Sequence, residues 1–252
     1  MTNTTITDKD LQPLFEAGAH FGYTRSRRHP SAAAHIFGTK DRNDIFDLEM
    51  TAGALEKALA FVAGLASEGK QILLVGGKPE AAAAIEAAAE KTELPFVAGR
   101  WIGGTITNFS EIRTRIARLL ELHKERDTGA REKYTKKERL LKDREIEELE
   151  HRFGGLTHLE KLPAAIFVVD TRHEDKAVRE ANQLKIPVIA LASSDCDFNR
   201  IQYPIPANDS ATKSISYFVD AFVNAYRENY RAVRPASLEA APTVDGGEVT
   251  VA

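Results

Sequence analysis

The chain has 252 residues, 43% of them hydrophobic and 28% charged, with 34 Lys and Arg against 37 Asp and Glu, a net charge of −3. It is long enough to bury a proper core, its composition is ordinary for a soluble globular protein, and no apolar run approaches a membrane span. The net charge argues against a generic, strongly basic nucleic-acid binder, and a lone cysteine, Cys196, excludes an internal disulfide framework.

The opening MTNTTITDKDLQ lacks the basic and apolar regions of a secretory signal. A cytoplasmic protein in a reducing compartment is expected. From Thr24 to Arg42 the chain carries Arg25, Arg27, Arg28, Lys40 and Arg42 against only Asp41. Gly, Ser and Pro punctuate this stretch, which predicts irregular structure, and flexible arginines of this kind fork onto phosphates. Asp44–Leu48 reads as a short strand leading into a helix over Thr51–Ala66. Gln71–Val75 is an apolar run ended by Gly76-Gly77, as in a buried parallel strand. A helix follows over Pro79–Lys91, with proline in its first turn, and Leu94–Gly99 reads as the next strand.

Between Thr107 and Phe153 the strand signal vanishes. Ile112, Ile116, Leu119 and Leu122 recur at helical spacing. A break at Asp127-Thr-Gly129 follows, then the capping box Thr135-Lys-Lys-Glu138, then a second stripe of Leu140, Leu141, Ile146, Leu149 and Phe153. Two charged helices with narrow apolar seams predict an antiparallel, coiled-coil hairpin over about 107–153. Because a crossover between parallel strands needs only about a dozen residues, a hairpin this long is expected to project as a contact surface.

Ala164–Asp170 is the plainest strand in the chain. Thr171-Arg-His-Glu174 has the pattern of a capping box opening a helix through Leu184. Ile186–Leu191 is a strand, Tyr203–Pro206 a short edge strand where proline is tolerated, and Ala211–Tyr230 an amphipathic helix. Residues 231–252, whose charges beyond Ala236 are all acidic, read as a disordered tail. Alternation of this kind predicts one α/β domain over 1–230, a parallel sheet flanked by helices, with the hairpin inserted.

Enzymatic chemistry finds little support. Gly76-Gly77-Lys78-Pro79 lies between strand and helix, but it lacks the third glycine of a dinucleotide fingerprint and the long loop of a P-loop. Gly103-Gly104 matches neither. The seven histidines form no metal motif, and His20, His29 and His35 have no cysteine nearby. Cys196, between Asp195 and Asp197, is expected to have a raised thiol pKa. Asp170 and Asp195, past the ends of neighbouring strands, are the best residual enzyme site, without a base, nucleophile or oxyanion donor beside them. No catalytic residue, metal or cofactor is assigned.

Four ordered blocks carry a family resemblance: Leu14–Gly38 (LFEAGAHFGYTRSRRHPSAAAHIFG), Gly99–Ile112 (GRWIGGTITNFSEI), Tyr134–Asp170 and Glu180–Ile215. They resemble the universal small-subunit ribosomal protein numbered two, in its bacterial form. The resemblance implies a Rossmann-like, flavodoxin-like α/β fold with a protruding helical hairpin. It implies contact with small-subunit ribosomal RNA and neighbouring ribosomal proteins, docking of the large, messenger-capturing ribosomal protein numbered one, and no obligate homo-oligomer. The RNA-binding candidates are Arg25, Arg27, Arg28 and His29 in the basic loop, Arg100 and Trp101 before the hairpin, and Arg113, Arg115, Lys136 and Lys137 on it. Trp101 is expected to be mainly structural, Thr107 or Asn108 to cap the first hairpin helix, and Glu138–Lys142 to pair within the second. The chain departs from the family pattern at Tyr23, His29, Ser31–Ala34, Pro79-Glu80, Ser193 and Ser210. The two serines replace aspartates and put carboxylate-dependent contacts in doubt. The competing reading is a phosphate- or nucleotide-ligand enzyme using the carboxyl ends of the strands.

Overall fold

The computed structural model describes residues 8–128 and 134–233. The expected turn residue Gly129 and nearly all of the expected tail lie outside those residues. The chain begins with helix α1 (Asp8–Glu16), then strands β1 (Phe21–Thr24), β2 (Ile36–Lys40) and β3 (Asn43–Phe46). These three strands form a small antiparallel sheet of order β1-β3-β2. Only β3 was legible in the sequence: β1 and β2 are short, contain glycine and pair through register shifts, so neither shows a clean alternation. The basic segment between them is also more ordered than expected, with 3-10 turns at Arg25–Arg27 and Pro30–His35. Helix α2 (Leu48–Ser67) starts three residues earlier than the apolar pattern suggests, because the Asp47 carboxylate accepts hydrogen bonds from the Glu49 and Met50 amides.

The main sheet comprises β4 (Ile72–Val75), β5 (Phe96–Val97), β6 (Ala165–Val169), β7 (Val188–Ala192) and β8 (Tyr203–Pro206). All pair in parallel, in the order β5-β4-β6-β7-β8. Counted from β4, this is the flavodoxin-like order 2-1-3-4-5, whose switch point lies between β4 and β6. β4, β6 and β7 are buried along their whole lengths, which is why they read as unbroken apolar runs. Alternate residues serve opposite layers. Ile72, Leu74, Phe167, Val169, Ile189 and Leu191 meet α2, α3 (Pro79–Thr92) and α7 (Thr212–Val233). Leu73, Val75, Ile166, Val168 and Val188 meet α6 (Asp175–Gln183) and the base of the hairpin. Helix α7 buries Ile215, Phe218, Val219, Phe222, Val223 and Tyr226, a helical stripe.

The hairpin helices are α4 (Phe109–Asp127) and α5 (Lys136–Phe153). Ile112, Ile116 and Phe153 join the sheet core, while farther out Leu119, Leu122 and Ile146 make a separate seam with Leu149. The second stripe differs from expectation: Leu140 and Leu141 are 52% and 54% exposed. Traced back from Ile146 at helical spacing, the seam passes through Lys142 instead, and Lys142 pairs with Glu125 on α4. Glu138, the expected partner, instead completes the Thr135 capping box and meets Lys142 only through its charge, which adds to the lowering of the glutamate pKa after the Thr135 hydrogen bonds. Arg118 spans to Glu145 at 3.0 Å, so the two helices run antiparallel.

Candidate nucleic-acid interface

The switch point at the carboxyl ends of β4 and β6 is the place where an enzyme of this architecture binds its ligand. Here the chain fills it with its own side chains. Lys78 enters from the β4–α3 turn, and its ammonium lies 3.1 Å from Asp170 Oδ2 and 3.5 Å from Asp209 Oδ1. It also donates to the Ser210 hydroxyl at 3.0 Å and the Tyr23 hydroxyl at 3.4 Å. Burial lowers the lysine pKa, but the two aspartates more than offset it, so the net shift is upward and the amine stays charged. Burial, with Asp170 adding to it, raises the pKa of Asp209. Asp170 Oδ1 accepts the Arg172 and His173 amides, with the backbone of Asp170 at φ +64°. The four residues Thr171–Glu174 are therefore an aspartate-headed turn and not the expected capping box, and α6 begins only at Asp175. The buried Glu174 carboxylate accepts the Gly77 amide at 3.2 Å and sits against His173. A Cβ on Gly77 would lie 2.3 Å from the Gly99 carbonyl oxygen, so the turn is closed to any side chain there, and its amide is already bonded to Glu174.

Asp170, Cys196 and Asp209 bring ligand atoms within 4.8 Å of one another. The cluster does not suit a cation: Lys78 already supplies the positive charge. Burial, reinforced by Asp209, Asp170 and Asp195, pushes the thiol up to about 12, so it is held protonated.

Around this plugged centre the predicted cations divide into two groups. Arg28 is turned inward: Nε is 2.7 Å from Asp44 Oδ2, its terminal nitrogen reaches Asp44 and Thr39, and Asp44 is fully buried. It ties the small sheet together and is not a free phosphate ligand. His29 is half-buried, bonded to the Ser31 hydroxyl at 2.7 Å, with its amide on the Ser194 carbonyl. Arg25 and Arg27 point outward, Arg27 lying over the Tyr23 ring at 4.7 Å. Arg100 is exposed. Its neighbour Trp101 is 5% exposed and donates its indole N–H to Glu180 at 3.0 Å, which leaves no face for a base. Arg113, Arg115, Lys136 and Lys137 are all exposed along the hairpin.

Two features escaped the sequence. Glu180 on α6 accepts the amides of Gly104, Ile106 and Thr107, the Thr107 hydroxyl and the Trp101 indole, fastening the root of α4. Gly104 supplies the required φ of +93°. Asn108 occupies the cap position without a side-chain cap bond, and Thr107 is spent on Glu180. Second, a crevice of about 540 Å³ at the ends of β6 and β7 is lined by Arg27, His29, Arg172, Arg179, Arg200 and Asp195, among others. Arg172 was legible only as a residue just past a strand end; parallel topology brings it beside Arg27, 145 positions away in the chain.

This geometry offers phosphates several guanidinium groups along one crevice. Residues 14–229 match the family model described as ribosomal protein S2. Proteins named small ribosomal subunit protein uS2 from Nocardia farcinica and Chloroherpeton thalassium are similar to the chain. The first is 40% identical over 241 residues, covering 94% of this chain and 84% of that protein. The second is 42% identical over 215 residues, covering 85% and 86%. The protein of that name from Rubrobacter xylanophilus is 39% identical, covering 95% and 80%. The chain belongs to the ribosomal protein S2 family.

Proposed function

We propose that this chain is a structural, RNA-contacting component of the small ribosomal subunit, with no catalytic step of its own. The observation that carries the reading is the switch point: Lys78, Asp170, Asp209 and Glu174 bond to one another and to backbone where a substrate would otherwise lie. The cations left over face outward. Arg25 and Arg27 on the basic loop, Arg100 at the hairpin root, and Arg113, Arg115, Lys136 and Lys137 on the hairpin contact RNA phosphates, each adding salt-dependent affinity through counterion release. His29 supports the loop; Arg28 and Trp101 hold the frame. One α/β domain presents the hairpin as a rigid arm, and the protein works on ribosomes in the cytoplasm. Among the described residues no helix is long and apolar enough to cross a membrane.

Neighbouring proteins are part of the same reading. Phe15, Phe21 and Phe37 are exposed on α1 and the small sheet, apolar surface of the kind a protein partner covers. Docking of the ribosomal protein numbered one belongs here too, without help from carboxylates at 193 and 210: the Ser193 amide bonds to Asp209, and Ser210 serves Lys78. Gradient fractionation tests the proposal. The protein should co-sediment with small subunits at moderate salt and shift to the top of the gradient when Arg25 and Arg27 are both changed to Gln. A wild-type protein found wholly free of ribosomes in its own cells would defeat it.

A further inference from the structure

We infer that Arg27 and Arg172 form a two-arginine clamp for one backbone phosphate of RNA, positioned by the buried carboxylate of Asp195. The inference rests on the ribosomal reading above and names the site within it. Arg27 comes from the turn after β1, and Arg172 from the turn after β6. A single oxygen, Asp195 Oδ2, lies 2.8 Å from Arg172 and 3.8 Å from Arg27. The Asp195 side chain is 4% exposed, whereas the two arginines are 54% and 53% exposed. The carboxylate therefore hydrogen-bonds Arg172 and draws Arg27 by charge, and both guanidinium groups line the crevice. Arg27 is fixed a second time by the Tyr23 ring.

The arrangement suits a phosphate for three reasons. Two planar forks, one bonded to Asp195 and the other drawn to the same oxygen and laid on the Tyr23 ring, lose less freedom than free ones when they close on a tetrahedral anion. The pair carries more positive charge than the one carboxylate beneath it, so a net cation remains. On the flanks Arg200 lies 3.0 Å from Asp175 and 3.2 Å from Asp197, and Arg179 lies 2.8 Å from Asp175, so these outer cations are paired with partly exposed carboxylates and the less neutralised charge sits at Arg27 and Arg172. A crevice of about 540 Å³ with an open mouth takes a stretch of sugar-phosphate chain, and the plugged switch point keeps it from reaching deeper.

The test is rebinding of full-length protein to small subunits from which this protein has been washed, followed by co-sedimentation between about 50 and 200 mM salt. Arg172→Gln should weaken rebinding about ten-fold and flatten the slope of log affinity against log salt by roughly 0.7–0.9, one phosphate's worth. Arg172→Lys keeps the charge but not the fork, and should also bind several-fold more weakly than wild type. Lys57→Gln removes the same charge from α2 across the sheet and should leave both readouts unchanged. Asp195→Asn separates positioning from net charge. Charge alone predicts tighter rebinding, whereas loss of the organising carboxylate predicts weaker rebinding, so equal or tighter rebinding by this variant overturns the role of Asp195. If Arg172→Gln rebinds with wild-type affinity and slope while wild type itself rebinds, the clamp is refuted and the ribosomal reading stands. If wild type does not rebind, that reading fails first. A photocrosslinker on Arg172→Cys should label RNA; label on a neighbouring protein of the subunit overturns the assignment to RNA.

Discussion

Removal of the Glu180 carboxylate should loosen the hairpin at its root before it unfolds the domain. Glu180 accepts five hydrogen bonds between 2.8 and 3.2 Å, four from N–H groups of Trp101, Gly104, Ile106 and Thr107 and one from the Thr107 hydroxyl. Hydrogen bonds to a charged acceptor contribute about 1.5–3 kcal/mol each, but bonds sharing one acceptor do not add. Water also reaches the half-buried carboxylate and can replace part of the set. Glu180→Ala is therefore expected to cost about 3 kcal/mol, a fall in Tm of roughly 6–12 °C for a chain of this size. Glu180→Gln keeps one oxygen but turns an amide donor toward the Ile106 and Thr107 amides, and should cost about half as much. The pH dependence has a definite sign. Burial alone would raise this carboxyl, but the Trp101 indole and the backbone amides outweigh it and hold the pKa below the ordinary glutamate value. The contribution is complete above the unfolded pKa and is lost as the pH falls through the folded one, and Glu180→Gln should abolish that part of the acid sensitivity. Thermal unfolding by circular dichroism measures the first effect, and hydrogen exchange at the Gly104, Ile106 and Thr107 amides the second. A Tm within about 1 °C of wild type, or unchanged protection at those amides, would refute the clamp.

Three further outcomes follow from the same structure. Arg28→Ala strands the fully buried Asp44 and should cost about 3–5 kcal/mol in urea unfolding; a loss under about 1 kcal/mol, the scale of an exposed pair, contradicts the inward placement of Arg28. Cys196, buried with its thiol pushed up to about 12, should resist thiol reagents at mild alkaline pH in the native protein and react fully in denaturant, and rapid native labelling would be the contrary result. Burial lowers the pKa values of His20 and His35, which stack on Phe15 and Phe198. Their folded pKa values lie below the unfolded value near 6.5, so the unfolded state binds more protons and stability should fall as the pH drops through about 6.5. A double His20→Gln, His35→Gln variant should flatten that slope, and an unchanged slope speaks against these two residues.

The hairpin shows how far pattern alone could go. Helical spacing marked Ile112, Ile116, Leu119, Leu122, Ile146 and Phe153, all of which are buried. The same spacing drew in Leu140 and Leu141, which are exposed, because an apolar residue in a charged helix looks the same on the seam and off it. The Thr135 capping box formed, since its two bonds lie within four residues. Its look-alike at Thr171–Glu174 did not, because the Asp170 side chain took the Arg172 and His173 amides, the Asp170 carbonyl took the Glu174 amide, and the Glu174 carboxylate was drawn to Gly77 across the switch point.

What the sequence by itself determined is whatever depends on near neighbours and on periodicity: the buried strands β4, β6 and β7, the helices between them, the charged hairpin, and the family to which the four motif blocks point. What only the tertiary structure decided is the partner of each charge. Arg25, Arg27 and Arg28 look alike in the chain, yet Arg28 is committed to buried Asp44 while Arg27 is poised above Asp195. Lys78, Asp170 and Asp209 are far apart in sequence, and only the parallel order of the strands makes them one plug. The physical reason is range. Helix and strand patterns are set by contacts a few residues apart, whereas the commitment of a long charged side chain is settled by whichever opposite charge the fold brings within about 4 Å of it.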